Sequence, residues 1–109
     1  MTDFVVVYVT VGSARDAERL ASLLVEERLA ACVNRIGGVR SCYRWEGKIE
    51  DSREELLMIK TRRDLFDALK AKIQKEHSYS VPEIIALPIV EGNAGYLQWL
   101  DEQLPKREG

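Results

Sequence analysis

Two solid apolar stretches, each followed by a segment with helical periodicity, most constrain how this chain can fold. Residues 4–9 form a continuous apolar, β-branched run, which is typical of a strand covered on both faces. Residues 56–59 form a second such block. Apolar side chains then recur at helical spacing over residues 14–24 and again over residues 65–73. The pattern predicts two strand–helix units.

Helix start signals support both units. Ser13 followed three residues later by Asp16 resembles a capping box, which begins a helix by satisfying orphan backbone amides, and this helix should end near Leu29. Thr61 and Asp64 repeat the spacing. We therefore expect a second helix to begin there and to end near Glu76.

The region between the helices reads as a long β-hairpin. Residues 31–36 are typical of a second strand, and two glycines at 37–38 predict a bulge or bend within it. The strand resumes over residues 40–45, and a tight turn is expected at Glu46 and Gly47, because glycine can take the positive φ that hairpins require. A third strand should return from Lys48 to Ile59.

The C-terminal third adds one strand and one helix. Residues 84–90 predict a fourth strand, and Pro88 places it at an edge or a bulge because proline cannot donate to a ladder. Asn93 is expected to cap a last helix whose core-facing residues are Tyr96, Leu97, Leu100 and Leu104. The order β-α-β-β-α-β plus a helix predicts an α+β, ferredoxin-like sandwich with the first and third strands central.

Size and charge limit the classes of function. The 109 residues suit a single domain spanning 1–109, and the net charge of −2 argues against a nucleic-acid partner. The N-terminus lacks the features of a signal peptide, and no apolar run approaches the ~20 residues of a membrane helix. We expect a cytoplasmic protein without a membrane partner, in which Cys32 and Cys42 form no disulfide.

The hairpin is too long for its own domain. Two strands of about 13 residues reach roughly 43 Å, whereas a compact domain of this length is about 34 Å across. The tip carries Tyr43 and Trp45, which are costly to leave in water. A neighbouring subunit is therefore expected to cover it. The alternative is that the glycines at 37–38 fold the hairpin back on its own sheet.

Several segments, in register, resemble the CutA divalent-cation tolerance family. They are residues 29–34, the hairpin tip 43–49, the strand end 58–61, the block 77–89 and the segments 92–93 and 96–100. The resemblance covers residues 4–104 almost without a gap. It implies a ferredoxin-like fold assembled as a tight homotrimer whose hairpins wrap neighbouring subunits. It also implies a role in tolerance of divalent metals, copper above all.

The resemblance also suggests metal ligands. In some bacterial relatives copper is assigned to a cysteine near the end of the first strand and to two adjacent histidines after the second helix. Val9 and the pair Glu76 and His77 occupy those positions here, so His77 carries over and Glu76 offers a harder oxygen ligand. Cys32 is the other candidate, as a soft thiolate. One histidine cannot by itself complete a metal site within one chain. The equivalent residues of several subunits in a trimer would therefore have to converge.

Each of these ligand candidates has a structural alternative. His77 is also typical of a helix terminus, where it bonds the last carbonyls. Cys32 is also typical of a small buried hydrophobe, and Cys42 of a packing or interface residue.

A wider set of residues predicts a cleft between subunits. Lys60 leaves the third strand and Glu83 enters the fourth, so both are expected to line such a cleft, although an ordinary surface ion pair is the alternative. The full set is Tyr43, Trp45, Lys60, Tyr79, Glu83 and Trp99.

Two functions follow, and the sequence leaves both open. One is a metal-binding or metal-responsive trimer, with copper or another divalent cation as ligand. The other is a signalling trimer that senses a small anionic metabolite in intersubunit clefts, as the similarly folded PII proteins do. No nucleophile–base pair and no glycine-rich phosphate loop is apparent in the sequence, so we do not expect an enzyme.

Overall fold

The computed structural model describes residues 1–107. The elements, in chain order, are β1 (Phe4–Val11), α1 (Ala14–Glu26), β2 (Cys32–Trp45), β3 (Lys48–Arg62), α2 (Phe66–Glu76), β4 (Ile84–Pro88) and α3 (Ala94–Gln103). A 3₁₀ turn at Arg63–Leu65 joins β3 to α2. In the described part of the chain no helix is long and apolar enough to span a membrane.

The four strands form one antiparallel sheet in the order β2-β3-β1-β4. The two strands with solid apolar runs, β1 and β3, are central, and the proline-bearing β4 lies at an edge. This is the predicted ferredoxin-like α+β sandwich. Strand β4 ends at Pro88, two residues earlier than expected, although the N–H of Ile89 still donates to the carbonyl of Phe4 at 3.0 Å.

Helices α1 and α2 cover one face of the sheet. Every second residue of β1, beginning at Val5, points to this side and is buried, and Leu57 and Ile59 of β3 pair beside them. The helices contribute Leu20, Leu24, Leu69 and Ile73 to the same core. A smaller cluster forms under α3, where Leu100 and Leu104 pack against Phe4 and Ala31.

The opposite face of the sheet, which we call the open face, has no helix layer over its centre. Strand alternation places Val6 and Tyr8 there, and they are only half-buried. Ile36, Ile85 and Leu87 on the same face are 42%, 51% and 42% exposed. The expectation that β1 is covered on both faces is therefore not met within one chain. Tyr96 also departs from its prediction: it is 43% exposed rather than part of the core.

The helix start signals had different outcomes. Ser13 caps α1 as predicted, since its Oγ accepts a 3.1 Å hydrogen bond from the amide of Asp16, although the helix ends at Glu26 rather than Leu29. The second signal was wrong. The Thr61 hydroxyl donates instead to the carbonyl of Leu29 at 2.7 Å, and α2 begins at Phe66 without a side-chain cap. Thr61 is a buried strand residue, so its hydroxyl bonds a partner across the core.

The hairpin projects from the globule as an arm, defined here as residues 39–54. The molecule measures 47 × 25 × 23 Å, so the arm is extended and is not folded back on its own sheet. The predicted bulge interrupts the β2–β3 register between Ile36 and Val39. At the tip, Glu46 and Gly47 have φ values of 50° and 80°, as a type I′ hairpin turn requires.

Candidate functional site

A groove of about 720 Å³ lies between the arm and the segment 77–83 that leads into β4. We call it the arm groove. Four residues of the predicted cleft line it together, namely Tyr43, Trp45, Tyr79 and Glu83. The other lining residues are Thr10, Ser41, Cys42, Glu54, Ser80 and Val81.

A tyrosine–carboxylate pair joins the two sides of the groove. The Tyr79 hydroxyl donates a 2.9 Å hydrogen bond to Oε2 of Glu54 at the base of the arm. Glu54 is only 6% exposed. Burial, followed by the hydrogen bond to Glu54 and its negative charge, raises the pKa of Tyr79 to about 12. The phenol therefore stays protonated and keeps donating at neutral pH.

His77 is held by both ring nitrogens. Nε2 lies 2.8 Å from the carbonyl oxygen of Thr10, and Nδ1 accepts the backbone N–H of Tyr79 at 3.0 Å. A carbonyl only accepts, so Nε2 carries the proton and the ring is the neutral tautomer. The imidazole fixes the start of segment 77–83 beneath Tyr79. Binding a metal through His77 would require one of these bonds to open.

Two residues of the predicted cleft lie elsewhere. The Lys60 ammonium donates to Oδ1 of Asn34 on the open face. Lys60 pairs with Val6 of β1, whereas Glu83 directly precedes the residue that pairs with Val9. Lys60 and Glu83 are therefore separated in two directions: along the length of β1, and across the sheet, because β1 lies between their strands. Any site that uses both would form between subunits.

Trp99 is likewise remote from the arm groove. It lies on α3 and stacks on Tyr96, with ring centroids 5.8 Å apart. Both rings are more than two-fifths exposed. They form an aromatic surface at the end of the sheet away from the arm.

The candidate metal ligands do not converge within one chain. Cys32 is the first residue of β2 and lies on the open face. Burial of Tyr96 raises the pKa of that tyrosine, and the Cys32 thiol raises it further. Glu76 forms an ion pair of 3.0 Å with Arg19. His77 contacts Thr10, which lies four residues along β1 from Val6, or about 13 Å at the usual rise. Val6 pairs with Lys60, and Lys60 pairs in turn with Cys32. Residues 1–107 contain no group of three potential ligands close enough to hold a metal ion.

Sequence reasoning missed Glu54, the most buried polar residue of the groove. A glutamate within a charged stretch of hairpin resembles a solvated residue. The available signal was strand alternation, since Glu54 lies two residues from Leu56 and four from Met58 and so shares their face. Its hydrogen-bond partner comes from 25 residues further along the chain, and no local pattern reveals that contact.

A four-stranded sheet with two helices on one face and a projecting β-arm defines the class of ferredoxin-like α+β proteins with an extended β2–β3 hairpin. Residues 5–103 match the family model described as CutA1 divalent ion tolerance protein. This chain belongs to that family.

Individual relatives agree with this assignment. The chain is 53% identical over 96 residues to Protein CutA 1, chloroplastic, of Oryza sativa, and 52% identical over 97 residues to the divalent-cation tolerance protein CutA of Thermus thermophilus. These alignments cover 88% and 89% of this chain, 54% of the rice protein and 94% of the Thermus protein. The chain thus spans about half the length of its plant relative.

A solved structure agrees as well. The Thermus thermophilus divalent cation tolerance protein superposes with a TM-score of 0.91 at 49% identity, over 94% of this chain and 99% of that one.

Proposed function

We propose that this chain acts in divalent-cation tolerance as a cytoplasmic homotrimer without enzymatic activity. The observation that carries the assembly is the open face, where Ile36, Ile85 and Leu87 lie exposed on a sheet whose other side packs against α1 and α2. Two free cysteines in the described chain suit a reducing compartment.

The exposed surface favours association. Burying one large aliphatic side chain contributes about 1.5–3 kcal/mol, and contiguous apolar patches of this kind on soluble monomers usually mark interfaces. The arm adds Tyr43 and Trp45, which are 42% and 48% exposed in a single chain. A trimer that covers the open face and receives the arm would remove both apolar surfaces from water.

Light scattering after gel filtration tests the assembly. We expect a mass three times the 12.4 kDa of one chain. Leu87→Lys should dissociate the trimer, because a charged ammonium would be buried at the interface. Val25→Lys is a matched control, since Val25 is 43% exposed but lies on α1, away from the open face. A monodisperse, folded wild-type monomer would reject the proposal.

We further propose that copper, or another divalent cation, is held by ligands from more than one subunit. The donors of one chain do not converge, which argues against a complete site within it. Cys32 is the best donor for copper because its thiolate is soft and because it lies on the face that assembly would cover. His77 and Glu76 are second candidates, since the bonds they make with Thr10, Tyr79 and Arg19 must first open.

Copper titration under reducing conditions tests this site. A site on the threefold axis predicts saturation at one ion per three chains, whereas a site shared by two subunits at each interface predicts one ion per chain. Cys32→Ser should abolish binding, and Cys42→Ser, which changes the other free cysteine, should leave it unchanged. Equal binding by both variants, or copper binding that persists in a dissociated Leu87→Lys monomer, would contradict ligation by Cys32 between subunits.

The arm groove favours a second candidate, a signalling trimer that senses a small molecule. Its volume of about 720 Å³ lies within the range of small-molecule sites, ~300–1,000 Å³. An anionic metabolite, the ligand class expected from the sequence, would need basic groups from a neighbouring subunit, such as Lys60. A thermal-shift screen of nucleotides and carboxylates tests this function: stabilisation without added metal would support it, and its absence would count against it.

A further inference from the structure

We propose that the hydrogen bond between Tyr79 and Glu54 is a latch that fixes the angle at which the arm leaves the globule, with the glycine bulge at 37–38 as its hinge. The latched arm is held in the orientation in which a neighbouring subunit receives it. This inference rests on the homotrimer proposed above and adds a conformational device that controls its assembly. The latch lies within one chain, so it persists when a neighbour covers the arm groove.

The sheet supports the arm on one strand only. Strand β1 ends at Val11, which pairs with Glu55, so β3 has no β1 partner from Lys48 to Glu54. Within the described chain that part of β3 pairs with β2 alone. A two-stranded hairpin is marginally stable by itself, and a bulge bends the strand that carries it. The orientation of the arm therefore depends on the contacts at its base.

The bulge gives the arm a place to pivot. The β2–β3 register is interrupted there, so Gly37 and Gly38 oppose the single residue Glu55. Gly38 has a φ of 74°, and no atom lies within 4 Å of the position that a Cβ would occupy. Its amide donates a hydrogen bond of 3.3 Å to Oε2 of Glu55 at an exposed position. Glycine changes its backbone angles at low cost, and a long, exposed hydrogen bond restrains it weakly.

One side-chain hydrogen bond joins the arm to the rest of the chain. It is the bond of 2.9 Å from the Tyr79 hydroxyl to Glu54. Within residues 1–107 the arm makes no other side-chain hydrogen bond or ion pair with the globule. Its remaining side-chain bonds are internal to it, in the pairs Arg40–Asp51 and Tyr43–Ser52.

Both partners of the latch are held in place. Glu54 is 6% exposed, so water competes little for its bond with Tyr79. The backbone N–H of Tyr79 donates to Nδ1 of His77 at 3.0 Å, and the two rings pack together. His77 is bonded in turn to the carbonyl of Thr10 on β1. These contacts connect the base of the arm to β1 independently of the strand pairing, and they fix an angle that the bulge leaves free.

Opening the latch should leave the arm free to pivot. A subunit with a free arm must order that arm when it joins a neighbour, and this ordering lowers the affinity between subunits. Changes in affinity among variants of one interface act mostly on dissociation. Trimers without the latch should therefore exchange their subunits faster.

Distances between two spin labels within one subunit test the latch directly. The labels are attached at Arg44→Cys on the arm and at Glu18→Cys on α1, both of which are exposed positions. Labelled chains are diluted with unlabelled ones, so that only distances within a subunit are measured. So that no neighbour holds the arm and no other thiol is labelled, the chain also carries Leu87→Lys, Cys32→Ser and Cys42→Ser.

We expect a narrow distance distribution when the latch is intact and a broader one in Tyr79→Phe. Glu54→Val removes the other partner of the same bond and should broaden the distribution equally, and the double variant should add nothing. Tyr43→Phe is the matched control, because it removes a tyrosine hydroxyl whose bond is internal to the arm. Its distribution should stay narrow.

Subunit exchange tests the consequence for assembly. Unlabelled and nitrogen-15-labelled trimers, with Leu87 and both cysteines intact, are mixed, and trimers of mixed mass are followed by native mass spectrometry. Exchange should be roughly tenfold faster in Tyr79→Phe than in the wild type, since one hydrogen bond no longer presets the arm. Tyr43→Phe should exchange at the wild-type rate.

The proposal is overturned if Tyr79→Phe leaves the distance distribution as narrow as Tyr43→Phe does, or if it broadens that distribution without faster exchange. A wild type that light scattering shows to be a monomer would reject the homotrimer instead. In that case the distance distributions still decide whether the latch exists, so the two failures are distinguishable.

Discussion

The Tyr79 hydroxyl lies 2.9 Å from Oε2 of Glu54, and this hydrogen bond is the polar tie between segment 77–83 and the base of the arm. His77 supports it from below, with its ring centroid 4.7 Å from that of Tyr79. Gly12 leaves room for the phenol, since a Cβ there would come within 3.2 Å of the hydroxyl oxygen. The floor of the arm groove therefore depends on residues from three separate parts of the chain.

Removing the Tyr79 hydroxyl should destabilise the fold. Tyr79→Phe leaves a buried carboxylate oxygen without its donor, which typically costs about 1–3 kcal/mol. Tyr43→Phe is the matched control, since Tyr43 bonds an arm residue at an exposed position and should cost less. Urea unfolding at one fixed protein concentration measures both, because assembly makes stability depend on concentration. Equal losses would contradict a special role for the Tyr79–Glu54 bond.

Tyr79 should ionise at a higher pH than ordinary tyrosines. Its pKa is raised from 10.0 to about 12, so phenolate absorbance of the wild type minus that of Tyr79→Phe should show one group ionising near pH 12. Because the folded pKa lies above the unfolded one, this group's contribution to stability is complete below pH 10 and is lost between pH 10 and about 12. Ionisation of the difference signal near pH 10 would contradict the hydrogen bond.

A buried arginine should be a second stability determinant. Arg62 is 2% exposed and donates to Asp64, to Asp101 and to the carbonyl of Pro105, at 2.7, 3.0 and 2.7 Å. Arg62→Met should cost about 2 kcal/mol or more, because three hydrogen bonds made by a buried charged group are lost. Arg63→Met, at an exposed neighbour, should cost little. Thermal unfolding of both variants checks the difference, and similar losses would contradict it.

The ion pair between Arg62 and Asp101 also predicts that stability depends on pH in the acid range. Its hydrogen bond is the main cause that lowers the pKa of Asp101 below 3.8. A lowered carboxyl pKa stabilises the fold above pH 3.8, and this contribution disappears as the pH falls further. We expect the stability difference between wild type and Arg62→Met to shrink below that pH. A difference that stays constant in acid would contradict the pairing.

The arm tip offers a stabilising change. Glu46 adopts a φ of 50°, which costs a non-glycine residue strain, whereas asparagine before glycine is preferred in this turn. Glu46→Asn should raise the free energy of unfolding by about 0.5 kcal/mol. Gly47→Ala should lower it, because Gly47 has a φ of 80°. Denaturant midpoints check both changes, and a midpoint lowered by Glu46→Asn would contradict the assigned turn.

Local rules predicted most of the fold. Proline at position 88 correctly placed β4 at an edge, and the two apolar runs correctly placed β1 and β3 at the centre. The start of the second helix could not be predicted from Thr61, because the same hydroxyl can cap a helix or bond across the core. The distant carbonyl of Leu29, a tertiary contact, decided between these options.

One chain brings together only some of the residues predicted to line a cleft. Tyr43, Trp45, Tyr79 and Glu83 share the arm groove, whereas Lys60 and Trp99 lie on other parts of the surface. Residue type marked all six as candidates, but residue type carries no information on which side of a strand or which end of a sheet a side chain occupies.

The sequence by itself determined the strand and helix order, the overlong hairpin and the two residues of its turn, because these depend on periodicity and on backbone restrictions within a few residues. Only the tertiary structure decided that Glu54 is buried under Tyr79, that His77 uses both nitrogens, and that the Tyr79–Glu54 bond ties the arm to segment 77–83. Those features arise where the C-terminal ends of β1 and α2 meet the base of the arm. The energy of such contacts depends on distances that no local pattern encodes.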